Sequence, residues 1–415
     1  MPHTPKPFDV VVSGSNFTGL ALALALAKGL GGELSVAVTG VGANPGAGPE
    51  ATRRSPRAFS IAAASRNLLD RIGVWPSIAT EAQPVVEIEI TDSALGAGIR
   101  PVLLTYDNTV EGGEPASYVV PDACLAGALR AEATATAGIT LIAPAATGYE
   151  AQGGVARVTL ADGSQVTTRL VVAADGRTSP IRRAAGIKTV EWEYRQTGIC
   201  TEIAHSEPHR GRAVQHFLPG GPFAILPLTG DRSCITWSED AREARRILAL
   251  DDSAFLAEIE ARCAGRLGTL SLAGARASWP LRLHLARALT GPRLALIGDA
   301  ARGVHPIAGQ GLNLGFRDVA ALAEIVAESA RTGTDVGDTD GLTRFARWRR
   351  FDSTMSTAAF DGLNRLFSND VRLLRPLREF GLGLVDRLPL AKSLIVKEAA
   401  GLMGDVPRLL RGEPI

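Results

Sequence analysis

The 415-residue chain has no apolar run long enough for a membrane-spanning helix, which needs about 20 residues. Its longest candidate, residues 20–27, is an Ala/Leu helix face that belongs in a core. A soluble protein is expected, with a peripheral membrane contact left open. There is no excess of either charge: 44 Lys and Arg against 43 Asp and Glu, for a net charge of +1. That balance argues against a nucleic-acid-binding surface. Only four cysteines occur, Cys124, Cys200, Cys234 and Cys263, and none has CxxC spacing. They are expected to be reduced, mostly buried thiols of a cytosolic protein rather than metal ligands or disulfides. The opening MPHTPKPFDVVV lacks the charged-then-apolar pattern of a secretory signal. No internal repeat is present, and the one biased tract is a Gly/Pro/Ala-rich loop at 40–56.

What is present is a large alternation of strands and helices. Length alone allows two or three domains or one interleaved fold. FDVVVS at 8–13 reads as a buried strand, GSNFTG as a turn and LALALALAKGL as a helix, with a second strand over Leu34–Val38. This is a βαβ beginning. The stretch from Arg57 to Ile78, RAFSIAAASRNLLDRIGVWPSI, resembles a helix ended by Gly73. Residues 85–92 and 101–106 alternate as strands, PDACLAGALRAEATATAG reads as a helix and ITLIAP as a strand. Two strands flank the hairpin turn at 161–164, the second running into RLVVAADG at 169–176. Residues 190–280 are strand-rich, with one helix near 252–265, and RLALIGDA at 293–300 is a further buried strand. Beyond Gly311 the chain reads as mainly helical. Buried-parallel strands starting at 8, 34, 169 and 293 imply a cofactor domain built from distant segments, with an antiparallel substrate domain inserted between them.

Three turns carry the chemistry. In GxGxxG the first glycine permits the turn, the second lets backbone approach a pyrophosphate and the third lets helix and strand pack closely. Here Gly14 and Gly19 hold the first and third places, and Asn16 the second. Asn tolerates positive φ, so the turn can form. Its side chain either crowds the phosphates or donates to them. The acid that usually ends the second strand is also missing: Thr39 and Gly40 stand there, and Thr39 is the candidate replacement contact for a ribose. The second turn, LVVAADGRTSPIRRAAG, delivers Asp175 and Gly176, with Ser179 and Arg182 one helical turn on. A purely structural role for Asp175 remains open.

The third, RLALIGDAARGVHPIAGQGLNLGFRDVAAL, is the most constrained. Gly298 and Asp299 end a strand, where Asp299 can accept from a ribitol or ribose hydroxyl. Backbone N–H groups of Gly311, Leu312 and Asn313 at a helix start stabilise an anion, such as the pyrimidine edge of a reduced flavin. Small residues, Ala308, Gly309 and Gly311, let a flat ring approach. His305 has no partner at metal-ligand spacing; it reads as a positioning group near the ring or as turn packing before Pro306. His205, His209, His216 and His284 read as surface or core histidines. No metal site is expected.

In this order and spacing the three motifs resemble the group A flavin-dependent aromatic hydroxylases of the para-hydroxybenzoate hydroxylase fold. The nearer resemblance is to the ubiquinone-biosynthesis hydroxylases. RAFSIAAASRNLLDRIGVWPSI, YVVPDACLAGALRA, FLPGGPFAILPL, HPIAGQGLNLGFRDV and DVPRLLRGEP extend it over nearly the whole chain. The resemblance implies an α/β fold: a Rossmann-like FAD-binding domain in discontinuous segments (1–75, 113–188 and 286–350), an inserted antiparallel substrate domain (76–112 and 189–285) and a C-terminal helical region (351–415). It implies FAD held by Gly14, Asn16, Gly19, Thr39, Arg57, Asp175, Gly176, Gly298, Asp299, Gly309, Gly311, Leu312 and Asn313.

The implied reaction is hydroxylation of a polyprenylphenol ring in ubiquinone biosynthesis through a flavin C4a-hydroperoxide, with O2 as oxidant. Electrons come from NAD(P)H or a separate reductase, because no second glycine-rich dinucleotide fold is present. Phe217, Phe223 and Trp237 either line the ring site or fill sheet core. The departures, Asn16 and the missing acid near Gly40, both fall on the ADP half of FAD. One lost charge-assisted hydrogen bond costs roughly 1.5–3 kcal/mol, so weaker FAD retention is expected. The basic amphipathic stretch from Leu363 to Leu410 suits either a membrane-surface or enzyme-complex contact, or a helical cap. The location implied is cytoplasmic, at or near the inner face of the plasma membrane. Two other readings stay open: a non-catalytic scaffold with weakened FAD binding, and a hydroxylase of another phenol.

Overall fold

The computed structural model describes residues 7–41, 55–92, 102–303, 310–350 and 396–415. The chain opens with β1 (Phe8–Ser13), α1 (Phe17–Gly29) and β2 (Val36–Thr39). Next come β3 (Ala58–Ala62), β4 (Gln83–Val85), β5 (Glu87–Asp92), β6 (Val102–Asp107) and β7 (Ser117–Pro121). The helix Asp122–Ala135 leads into β8 (Ile139–Ile142), β9 (Ala146–Gln152), β10 (Val155–Leu160) and β11 (Gln165–Ala173). The strand-rich middle holds β12 (Thr189–His205), β13 (Arg212–Leu218), β14 (Gly221–Leu228), β15 (Arg232–Asp240), β16 (Leu270–Leu272) and β17 (Ala277–Ala286). β18 (Thr290–Gly291), β19 (Leu294–Leu296) and β20 (Arg302–Gly303) precede the long helix Gly311–Arg331.

The four runs expected to be buried parallel strands lie side by side. The first sheet runs β18-β19-β11-β1-β2-β8, and β19, β11, β1, β2 and β8 pair in parallel. β1 is Val-rich because it is covered on both faces; Val10, Val11 and Val12 have no exposed surface. α1 is buried from Gly19 to Ala27. A helix apolar all round belongs between layers, and its alanines let neighbouring helices come close. The chain leaves β1 for β2 on one side, while β11 lies on the other. The carboxyl end of β1 is therefore a switch point, where open α/β sheets bind ligands.

The second sheet, β20-β17-β12-β15-β14-β13-β5-β6, is mostly antiparallel. A small third sheet, β3-β7-β4, lies against it. Several boundaries differ from the sequence reading. Residues 58–62 form β3, and the helix there begins only at Ala63. AFSIA has strand formers only at Phe59 and Ile61 and is held extended by its pairing with β7. The 85–92 run is split at Val86 between two sheets. The helix expected near 252–265 is Asp252–Cys263, capped by Asp251, and a second, unexpected helix, Ala241–Leu248, capped by Asp240, precedes it. Most of the 40–56 loop, and the Leu363–Leu410 stretch up to residue 395, lie outside the described residues. Among the described residues no helix is long and apolar enough to cross a membrane.

Candidate active site

Five distant stretches of chain meet around the start of α1. At the first turn Gly14 has φ +108°, and a Cβ there would lie 2.4 Å from the Ala174 carbonyl oxygen. At Gly19 a Cβ would lie 2.0 Å from the Gly14 carbonyl oxygen. Both glycines are thus sterically required. Asn16 is not in the left-handed region that the sequence reading allowed for: it is extended, at φ −96° and ψ −169°. Its Oδ1 accepts from the Phe17 amide at 3.0 Å, so it caps α1. The side-chain amide is left at the exposed mouth of the turn.

Asn16→Asp keeps the capping oxygen and replaces the amide by a charge. It is expected to weaken FAD binding about tenfold, whereas Asn16→Gly costs only a few tenths of a kcal/mol of stability. Titrating FAD into apoprotein measures both, and an unchanged affinity in Asn16→Asp would place the residue away from the pyrophosphate.

Thr39 corrects the sequence reading. It has no exposed surface, and its hydroxyl donates to the Val12 carbonyl at 3.5 Å. The side chain is turned into the sheet, so it is not a replacement for the missing acid. Gly40 follows at φ +84°, and its carbonyl accepts from Ser15 Oγ at 2.9 Å.

The second turn is bound directly to the first. Asp175 Oδ2 accepts from Ser13 Oγ at 3.2 Å and from the Ile181 amide at 3.3 Å. Burial pushes its carboxyl above the usual range. Its Oδ1 is buried without a hydrogen-bond partner among the described residues. Asp175 is therefore a structural acceptor that ties the second turn to the first. Gly176 follows at φ +81°. Arg182 Nη1 donates to the Ala300 carbonyl at 2.7 Å and Nη2 to the Arg177 carbonyl at 2.8 Å, joining this turn to the third.

Gly298 (φ +56°) packs against Thr18, which also fills the space beside Gly315 on the long helix. The sequence reading missed Thr18, the residue that sets α1, the third turn and the long helix at contact distance. It also missed Asp318. That carboxylate is completely buried and accepts from the Gly298 amide at 3.0 Å, from Arg349 at 2.8 Å and from Arg302. Asp299 is exposed, and its carbonyl accepts from buried His284 at 2.7 Å. His284 is held below the usual histidine range by burial, so the neutral tautomer with the proton on Nε2 fits this bond.

The long helix starts without a side-chain cap and with no acid in its first turn. Among the described residues no side chain caps the amides of Gly311, Leu312 and Asn313. The side chain of Asn313 is already used: it accepts from the Ala62 amide at 3.0 Å and donates to the Ser60 carbonyl at 2.8 Å. This anchors the helix start to β3. Arg57, just before β3, is exposed, with its guanidinium 5.2 Å from the ring centres of both Phe59 and Trp279. His305, Pro306, Ala308 and Gly309 lie outside the described residues.

Phe217, Phe223 and Trp237 do not share a surface. Phe223 is opposite Trp237, which is opposite Ile199. These side chains are sealed beneath the Ala241–Leu248 and Asp252–Cys263 helices, where Arg262 lies 3.8 Å over the Trp237 ring. Phe217 is opposite Pro222, and the next residues on that face, Ala224, Thr236 and Cys200, point toward the Arg57 strand. Only Phe217 is on the site's side of the sheet. Phe223 and Trp237 fill core.

The site suits an elongated dinucleotide: two turns that tolerate no side chain, a long helix whose start has no side-chain cap, and a buried carboxylate oxygen without a partner among the described residues. A family model for an FAD binding domain matches residues 8–340. The chain is 39% identical over 417 residues to ubiquinone hydroxylase UbiL of Rhodospirillum rubrum, covering 99% of this chain and 94% of that protein. It belongs to the ubiquinone-biosynthesis hydroxylase family. Another relative in this family is 3-demethoxyubiquinol 3-hydroxylase of Escherichia coli, 29% identical, with 96% and 100% of the two chains covered. The fold is shared with p-nitrophenol 4-monooxygenase PnpA of Pseudomonas putida, at TM-score 0.76 and 17% identity over 96% of this chain and 99% of that one. As a member of the family the protein is an FAD-dependent aromatic monooxygenase.

Proposed function

We propose that this enzyme hydroxylates the aromatic ring of a polyprenylphenol on the route to ubiquinone. The observation that carries the reading is the joining of the Gly298–Asp299 turn to the uncapped start of the long helix through Asp318 and Thr18. That pairing can hold a ribityl chain and the pyrimidine edge of one flavin together. The relation to UbiL over 99% of the chain supports the substrate class.

In this reading the start of α1, Gly14, Asn16 and Gly19 receive the pyrophosphate, with Arg57, Asp175 and Gly176 along the cofactor. Asp299 receives ribityl hydroxyls, and Gly311 and Leu312 the ring edge. Bound FAD, once reduced by NAD(P)H or a partner reductase, supplies the activation of O2. The chain's own work is to place and to exclude. Amides at the helix start stabilise negative charge, and the sheet face carrying Phe217 closes over the substrate ring to keep water out. The reading places the enzyme in the cytoplasm, taking its prenylated substrate from the membrane surface.

Deleting the gene in its host and identifying accumulated prenylphenols by mass spectrometry tests this. The expected result is an intermediate lacking one ring hydroxyl, which also names the position. Unchanged quinone with no such intermediate would sink the substrate assignment. A colourless purified protein that FAD cannot reconstitute would favour a scaffold.

A further inference from the structure

All four cysteines are free, yet two of them meet. Cys200 on β12 and Cys234 on β15 are diagonal neighbours, Cys200 opposite Thr236 and Cys234 opposite Glu202. Their sulfurs lie 3.6 Å apart, and the two residues are 1% and 0% exposed. Both sulfurs also lie within hydrogen-bond distance of one acceptor, the Pro56 carbonyl, at 3.3 and 3.4 Å, so the two thiol protons are shared between that carbonyl and the facing sulfur. The sulfur pair therefore holds the backbone immediately before Arg57.

Two serines would grip a carbonyl more strongly, since S–H is a weak donor. What sulfur adds is reversible oxidation. An oxidant is at hand in this enzyme class. When a reduced flavin consumes O2 without hydroxylating anything, hydrogen peroxide is released beside the Arg57 strand.

We propose that Cys200 and Cys234 form a peroxide-oxidisable dithiol whose disulfide releases the Pro56 carbonyl and loosens Arg57 from FAD. This rests on the reading that Arg57 borders the cofactor. The Cys234 sulfur attacks one peroxide oxygen; the O–O bond breaks, the first water leaves and a sulfenic acid remains. The Cys200 sulfur then attacks the Cys234 sulfur, the S–O bond breaks, and the hydroxide departs with the Cys200 proton as a second water. Two thiols lose two electrons and two protons, and one peroxide becomes two waters. When the Cys200 proton is turned to the facing sulfur, that hydrogen bond holds the Cys234 thiol below the usual range, which makes Cys234 the attacking sulfur. The hydrogen bond to Cys234, with burial, pushes Cys200 up. The sulfurs must close from contact to ~2.05 Å, a movement that side-chain rotation and a small strand shift can share.

The test is to titrate the FAD-loaded protein with hydrogen peroxide, following intact mass, non-reduced peptide maps and FAD release by flavin fluorescence. The expected product has lost two hydrogens, links the Cys200 and Cys234 peptides and releases FAD about tenfold faster. Dithiothreitol should reverse this, and Cys200→Ser and Cys234→Ser should not respond. Absence of the cross-link, overoxidation in its place, or a cross-link with unchanged FAD release would each overturn the inference. Arg57→Ala in reduced protein tests the underlying reading separately. Unchanged FAD retention there removes the premise, whereas a drop there with no effect of the disulfide removes only the switch.

Discussion

Asp318→Ala is expected to cost about 3–5 kcal/mol, the penalty for breaking a buried ion pair from one side. The carboxylate has no contact with water and is shared by the Gly298 amide, Arg302 and Arg349. Removing it leaves Arg302 buried without its counter-charge and frees the turn that presents Asp299. Native stability is itself only about 5–15 kcal/mol, so a large share would be lost. Asp318→Asn retains an oxygen for the Gly298 amide and should lie between wild type and alanine. Urea unfolding of the three proteins measures the series. A loss below about 1 kcal/mol in the alanine variant would show that the cluster is stabilised by other groups.

Gly19→Ala is expected to abolish FAD retention and to destabilise the fold by on the order of 3 kcal/mol. A methyl group would sit 2.0 Å from the Gly14 carbonyl oxygen, a backbone atom that has nowhere to go because Gly14 is itself pressed against Ala174. Either α1 slides away from the turn or the turn opens. The contrast is Gly127, on the exposed side of the helix Asp122–Ala135, where an added Cβ meets nothing within 4 Å. There the same change should stabilise by about 0.5–1 kcal/mol, through helix propensity alone. Thermal unfolding and flavin content of both variants check the pair. A FAD-binding Gly19→Ala would show that the helix can shift without losing the site.

Much of the pairing was within reach of sequence reasoning. The tight connection between β13 and β14 sets Phe217 against Pro222 and His216 against Phe223. Once that register is known, Phe217 and Phe223 must face opposite ways. Composition alone could not show it, because aromatics suit a sheet core and a ring site equally well. At Asn16 the turn forms without a positive φ for a local reason: the extended conformation at that place suits a capping residue.

By itself the sequence determined the elements whose signals are local: the buried valine strand, the Ala/Leu helix behind it, the hairpin at 161–164 and the three turns. Periodicity and turn chemistry act over a few residues, so they can be read from a few residues. The tertiary structure decided everything that depends on what is opposite. It turned Thr39 inward, put Phe223 and Trp237 under a helix pair, and gathered Arg302, Asp318 and Arg349 around the Gly298 amide. It also brought Cys200 and Cys234 against the Pro56 carbonyl, a residue over a hundred positions away. Burial makes such charges and thiols tolerable only where partners arrive from distant segments, and that arrival is settled by strand order and helix packing.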